Sequence, residues 1–268
     1  MRKLLAAVVA TSAVAVLVNG LVGAAPAAVR GSASPAAHAR PAAVAASNAT
    51  ITMALPGDPG NLDPQQTLLN VARQLDDFAY DTLVHQLAGG KIVSGLATDW
   101  KVVSPTKLWF KLHPGVTCAD GTKLTATVVK KNIDYVGNPA NHSPLLGVFV
   151  PPSPKVVANN KKGLVTITLS SPDAFPLQGF AAVQMICARG LANRGLLLHG
   201  ADGSGPYALV KAQPGNQYTL LRRNGYKWGV GGRSGAKLPA KVVLKIVSNE
   251  TTAANLLLTG GLNVAVLT

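Results

Sequence analysis

The residues that could do chemistry in this 268-residue chain are few and dispersed. Among 11 acids Glu250 is the only glutamate, and the five histidines are His38, His85, His113, His142 and His199. Neither an H-E-x-x-H zinc signature, nor a G-x-S-x-G nucleophile elbow, nor a G-x-x-x-x-G-K-[ST] phosphate loop occurs. Gly203-Ser204-Gly205 lacks the third glycine and the helix of a dinucleotide loop. Asp76-Asp77-x-x-x-Asp81 could suggest a cation site, but such sites need more converging oxygens. It reads better as the solvated face of a helix. Cys118 as a nucleophile would need a neighbouring base. No catalytic residue, metal site or cofactor is expected.

The two cysteines, Cys118 and Cys187, have no histidine or further cysteine at ligand spacing. In an exported chain they are most simply a disulfide, the alternative being two buried thiols. Closing the 68 intervening residues would stabilise the fold by roughly 4 kcal/mol in the chain-entropy picture.

Export is read from the start of the chain. Arg2 and Lys3 precede an apolar run over residues 4–18, and small residues at 23–27 offer cleavage sites, so residues 1–27 are expected to be a signal peptide. The run is shorter than the roughly 20 residues of a spanning helix. Residues 28–50, rich in Ala, Pro and Ser, cannot bury a core and are expected to be a disordered tether. No cysteine precedes Cys118, so a lipid-bearing cysteine after the apolar run is not expected; the chain is expected to be exported, periplasmic or extracellular and cell-surface, whether cleaved and released or held by a retained signal. Four of the 25 basic residues precede residue 50; the remaining 21 against 11 acids leave +10 on the folded part. Lysines and arginines are scattered or in short pairs, with no basic stripe interleaved with stacking aromatics. Nucleic acid is therefore not an expected partner.

The elements that would position any site are legible from residue 51 onward. Alternation predicts a strand over 51–55, followed by turn chemistry at 56–60. Val71, Leu75, Phe78 and Leu83 predict a helix over 70–83. Leu108, Phe110 and Leu112 form one face of a strand whose other face carries Lys107, Trp109 and Lys111. Thr125 should cap a helix with Val129, Ile133 and Val136 inward. Further strands are expected over 164–169, 218–223 and 241–247, and Ser248 or Asn249 should cap a short helix ending near Gly260.

Set in that frame, a long ordered pattern resembles the extracytoplasmic solute-binding proteins of peptide-type ABC importers, family 5 (the oligopeptide, dipeptide and nickel-binding proteins). Its carriers are Gly95, Leu96, Ala97 and Trp100, then Leu112, Gly115, Val116, Asp120, Gly121, Leu124, Thr125 and Ala126. Asn61-Leu62-Asp63-Pro64, the Ser171-Pro172 and Phe175-Pro176 pairs, Gly203-Ser204-Gly205-Pro206-Tyr207 and Asn224-Gly225-Tyr226-Lys227-Trp228-Gly229 extend the likeness over residues 51–266.

The resemblance implies an α/β fold of the periplasmic-binding-protein class II, peptide-binding type, with mixed sheets in two partial lobes. Residues 51–80 and 181–268 would form lobe I and residues 81–180 lobe II. Gly260-Gly261-Leu262-Asn263 corresponds to a mid-chain element of the family, so the sequence resembles an amino-terminal half, truncated before a third lobe. Alone, it is not expected to close a pocket. Residues near the lobe crossings are the ligand-binding candidates: Asn61, Leu62, Asp63, Ser204, Gly205, Pro206 and Tyr207. The bland alternative is that they only build a turn and a strand edge. The implied role is capture of a small solute, peptide by default, for delivery to ABC permease subunits in the membrane. The competing readings are a secreted or cell-surface interaction protein, a non-functional fragment of a binding protein, and an exported hydrolase.

Overall fold

The computed structural model describes residues 48–267. The expected signal peptide and nearly all of the expected tether lie outside the described residues.

Among the described residues ten strands and five α-helices follow one another along the chain. They are β1 (Thr50–Leu55), α1 (Asn70–Ala79), β2 (Val84–Gln86), β3 (Ile92–Ser94), β4 (Ala97–Ser104), β5 (Lys107–Leu112), α2 (Ala126–Gly137), β6 (Lys155–Asn159) and β7 (Leu164–Thr168), then α3 (Pro176–Ala182), α4 (Ala188–Ala192), β8 (Tyr207–Gln213), β9 (Gln217–Arg222), β10 (Lys241–Ile246) and α5 (Glu250–Leu258).

The central part of the chain folds into an antiparallel sheet of order β4-β5-β7-β6. Its inner face carries Leu108, Phe110, Val165 and Ile167, all buried, while Lys107 and Lys111 stay exposed. Helix α2 covers that inner face with Val129, Ile133 and Val136, none of which retains any exposure. The Thr125 hydroxyl accepts from Val128 N at 3.4 Å, so the expected cap forms. No acid occupies the first turn of α2, so this cap acts there without help from a favourable charge on the helix dipole.

The first and last parts of the chain meet in a mixed sheet of order β1-β10-β9-β8, with β1 and β10 parallel and the other pairs antiparallel. Its core gathers Leu55, Leu75, Tyr218 and Leu244. Beyond β1, Ala54 N donates to Val264 O and Val264 N to Thr52 O, so the segment after α5 begins a further parallel pairing. The chain passes between the two sheets twice, through residues 80–84 and back through 183–206. The short hairpin β2-β3 sits beside the outward passage.

The helix expected over 70–83 stops at Ala79, and Tyr80 is extended. Gly205 N donates to Ala79 O at 3.0 Å, taking the carbonyl that another helical turn would have used. The reading of Asp76, Asp77 and Asp81 as one solvated face is corrected too: Asp76 and Asp81 are buried, and only Asp77 is exposed. Cys118 and Cys187 are joined, their Cα atoms 6.1 Å apart. The bridge fastens the turn after β5 to the returning passage, where Ala119 N also donates to Gly203 O.

Candidate functional site

A cleft of about 440 Å³ opens between α1, the outward passage and the returning passage. Beneath it lies a polar centre built on Asp81. One of its carboxylate oxygens accepts from Ser204 Oγ (2.8 Å) and Trp228 Nε1 (2.9 Å), the other from the Tyr226 hydroxyl (2.6 Å). Burial pushes the Asp81 carboxyl up from its ordinary value against the pull of these three donors. The same burial, with the nearby Asp81 charge, drives the Tyr226 hydroxyl far up. Arg223, 5.7 Å from the Trp228 ring, donates to the carbonyls of Ser204, Gly205, Thr117 and Cys118. One guanidinium thus ties the returning passage to the disulfide turn.

Three side chains on the cleft wall carry buried polar atoms with no hydrogen-bond partner among the described residues: Arg73 Nη1, His85 Nε2 and Gln184 Oε1. Arg73 is held by Nη2 donating to Ala182 O at 2.7 Å, which leaves Nη1 aimed elsewhere. Gln184 is fixed by Nε2 donating to Asp77 Oδ1 at 3.2 Å, which leaves its carbonyl oxygen free. His85 contacts Thr82 Oγ1 through Nδ1 at 3.4 Å. A Cβ on Gly95 would lie 2.8 Å from that ring, so glycine there makes room for the imidazole. Burial lowers the His85 pKa, opposed by Asp81 and Asp77, so at neutral pH its ring is neutral and Nε2 can donate or accept. Left unpaired, such atoms cost stability, and all three belong to residues that line the one cleft.

The seven candidates named from sequence are placed as follows. Pro206 lines the cleft. Ser204 is spent on Asp81, and the Tyr207 hydroxyl donates to Pro239 O at 2.9 Å. A Cβ on Gly205 would fall 2.5 Å from the Ala79 carbonyl carbon, so its close approach is to the end of α1. Asn61 Oδ1 accepts from Asp63 N, and Leu62 is fully buried. Asp63 takes a two-point bond from Arg194, at 2.8 and 2.6 Å, while that guanidinium lies 3.5 Å from the centre of the Tyr135 ring. The sequence brought attention to none of Arg73, His85 or Gln184 as cleft residues. For Gln184 a signal existed: it is the one polar residue inside the apolar run 180–186.

Asp76, fully buried in the last turn of α1, has no hydrogen-bond partner for either carboxylate oxygen among the described residues. Burial pushes its pKa well above the usual carboxylate range, against the pull of Arg73. Below the unfolded-state value of about 3.9 both states are protonated; above it only the unfolded chain releases the proton, so stability falls as pH rises toward the folded value. Asp76→Asn should therefore stabilise the fold at pH 7 by on the order of 1–2 kcal/mol, seen as a higher melting temperature. The gain should vanish near pH 3, and a gain independent of pH would contradict this account.

The sequence model for bacterial extracellular solute-binding proteins, family 5, middle region, matches residues 91–268. The chain belongs to this family. A substrate-binding protein from Microbacterium hydrocarbonoxydans, solved with 4-hydroxybenzoate hydrazide, is 31% identical with a TM-score of 0.71, over 80% of this chain and 45% of that one. MoaA from A. tumefacien R10, solved with mannopinic acid, is 25% identical with a TM-score of 0.71, over 82% of this chain and 45% of that one. The glutathione-binding protein GsiB of Pectobacterium atrosepticum is 29% identical over 208 residues, which is 75% of this chain and 38% of GsiB. The chain thus spans less than half the length of these relatives. The expected α/β fold of the family-5 binding proteins is the one observed, and the named ligands of its relatives differ from one another.

Proposed function

We propose that this chain is a solute-binding component of an ABC importer and that the cleft bordered by Arg73, His85 and Gln184 is one wall of its solute site. The observation that carries the reading is a single cleft lined by Arg73, His85 and Gln184, each of which holds a buried polar atom unpaired among the described residues. A donor on Arg73 and an acceptor on Gln184 match the C=O and N–H of an amide, and the exposed Asp77 carboxylate at the rim suits an amino terminus. A short peptide has all three groups. In this reading Pro206 meets the solute, while Asn61, Leu62, Asp63, Ser204, Gly205 and Tyr207 hold the wall from behind. The sheet built on β5 and α2 belongs to lobe II (residues 81–180), and residues 51–80 with 181–268 make lobe I, so the cleft lies along their seam. The protein is exported by way of residues 1–27, hands its solute to a membrane permease, and catalyses no reaction.

Melting of the purified chain with tripeptides, oligosaccharides and metal chelates tests this. A tripeptide at ten times its Kd should add about 1.4 kcal/mol. Gln184→Met, which removes Oε1 and keeps the volume, should abolish the shift. No shift with any peptide, or a shift that Gln184→Met leaves intact, would overturn the assignment.

A further inference from the structure

The lysines that are scattered along the sequence are gathered by strand register onto the outer face of the β4-β5-β7-β6 sheet. Residues paired directly across strands project from the same face. One row therefore runs Lys101, Trp109, Thr166, Val157; the next joins Lys107, Thr168 and Lys155; a third joins Asp99, Lys111, Leu164 and Asn159. Four lysines thus surround a half-buried indole and a valine that is 66% exposed, and Asp99 is the only acid in the three rows. At one end this face continues into a cleft of about 450 Å³ bordered by Lys111, Lys123, Lys161 and Lys162, with no carboxylate in its lining. There Lys111 Nζ donates to the Lys162 carbonyl, fixing the two side by side. None of these seven lysines is ion-paired among the described residues.

We infer that this face docks on an anionic phospholipid surface. Four strands spaced about 4.8 Å apart make a plane rather than a groove. A plane of lysines around an indole suits headgroup phosphates and the interfacial depth at which tryptophan settles. A nucleic-acid strand would need successive aromatic platforms along a channel, and this face offers one ring. The attraction is electrostatic over about 10 Å and is screened by salt. The face shares no residue with the lining of the solute cleft, so docking would hold the protein near a membrane without using that cleft's own residues.

The test is co-sedimentation of the full 268-residue chain with vesicles of phosphatidylcholine alone and with about 30% phosphatidylglycerol at low salt. Two variants remove the same charge: K101Q/K107Q/K111Q/K155Q on this face, and K211Q/K237Q/K241Q/K245Q elsewhere. Both share the unaltered amino terminus, and unchanged melting confirms folding. The face variant should lose about tenfold or more of its binding to the anionic vesicles, and the control variant much less. A blue shift of emission on vesicles should be absent from Trp109→Phe. Equal losses in the two variants, equal binding to neutral vesicles, or binding to duplex DNA or soluble heparin without binding to vesicles would each overturn the inference.

Discussion

Replacing Asp81 by alanine is expected to cost about 3–5 kcal/mol, because it removes the shared acceptor of a fully buried cluster. Ser204 Oγ and the Tyr226 hydroxyl would be left as buried donors, Trp228 Nε1 would keep only the Ser204 carbonyl at 3.3 Å, and Arg223 would lose the negative charge that acts on it most. The partners come from positions 123, 145 and 147 residues further along the chain, so the loss should separate the returning passage from α1 as well as lower stability. Asp81→Asn keeps one acceptor oxygen and places an amide against donors, so it should cost roughly half as much. Denaturant unfolding measures both, and near-UV dichroism of the Tyr226–Trp228 pair, whose ring centres are 5.0 Å apart, reports the cluster directly. An Asp81→Ala penalty below about 1 kcal/mol would mean that these hydrogen bonds do not hold the passages together.

The second large effect belongs to the disulfide. Cys118→Ser with Cys187→Ser should destabilise by about 4 kcal/mol, through the entropy restored to the unfolded chain when a closure spanning 69 residues is removed. Both sulfurs are buried, so reduction of the native protein should be slow and should accelerate in mild denaturant. The two effects are physically linked, since Arg223 bonds the carbonyl of Cys118 itself. Combining Asp81→Ala with loss of the bridge should therefore depart from additivity. If unfolding of oxidised and reduced protein coincided, the bridge would carry no stability.

What was legible in the sequence was whatever depends on near neighbours. The alternation in Leu108–Leu112 and Val165–Leu169, the Thr125 cap and the Asn249 cap all rest on contacts within a few residues, and each forms. Export chemistry paired Cys118 with Cys187 because only two candidates existed. The long motif placed the fold. Charged positions are misread wherever their partners are distant: Asp81 follows Asp77 by four residues, the spacing of one helix face, and nothing local distinguishes a solvated carboxylate from one buried beneath Ser204 and Trp228. The end of α1 was overshot for the same reason, since the group that stops it is Gly205 N. Register likewise gathers Lys101, Lys107, Lys111 and Lys155, which linear order keeps apart. Gln184 stands out as a polar residue within an apolar run, but nothing local in the sequence shows that Arg73 and His85 line the same cleft.

The account turns on solute occupying the cleft over Arg73, His85 and Gln184. A two-dimensional NMR titration of the isotopically labelled chain with a tripeptide tests it at the level of single groups. Saturable shifts should concentrate on the Gln184 side-chain amide, the His85 ring and the Ala182 backbone amide, and should disappear in Arg73→Met. Saturable shifts confined to other surfaces, or none up to about ten millimolar peptide, where even weak millimolar binding would register, would contradict it.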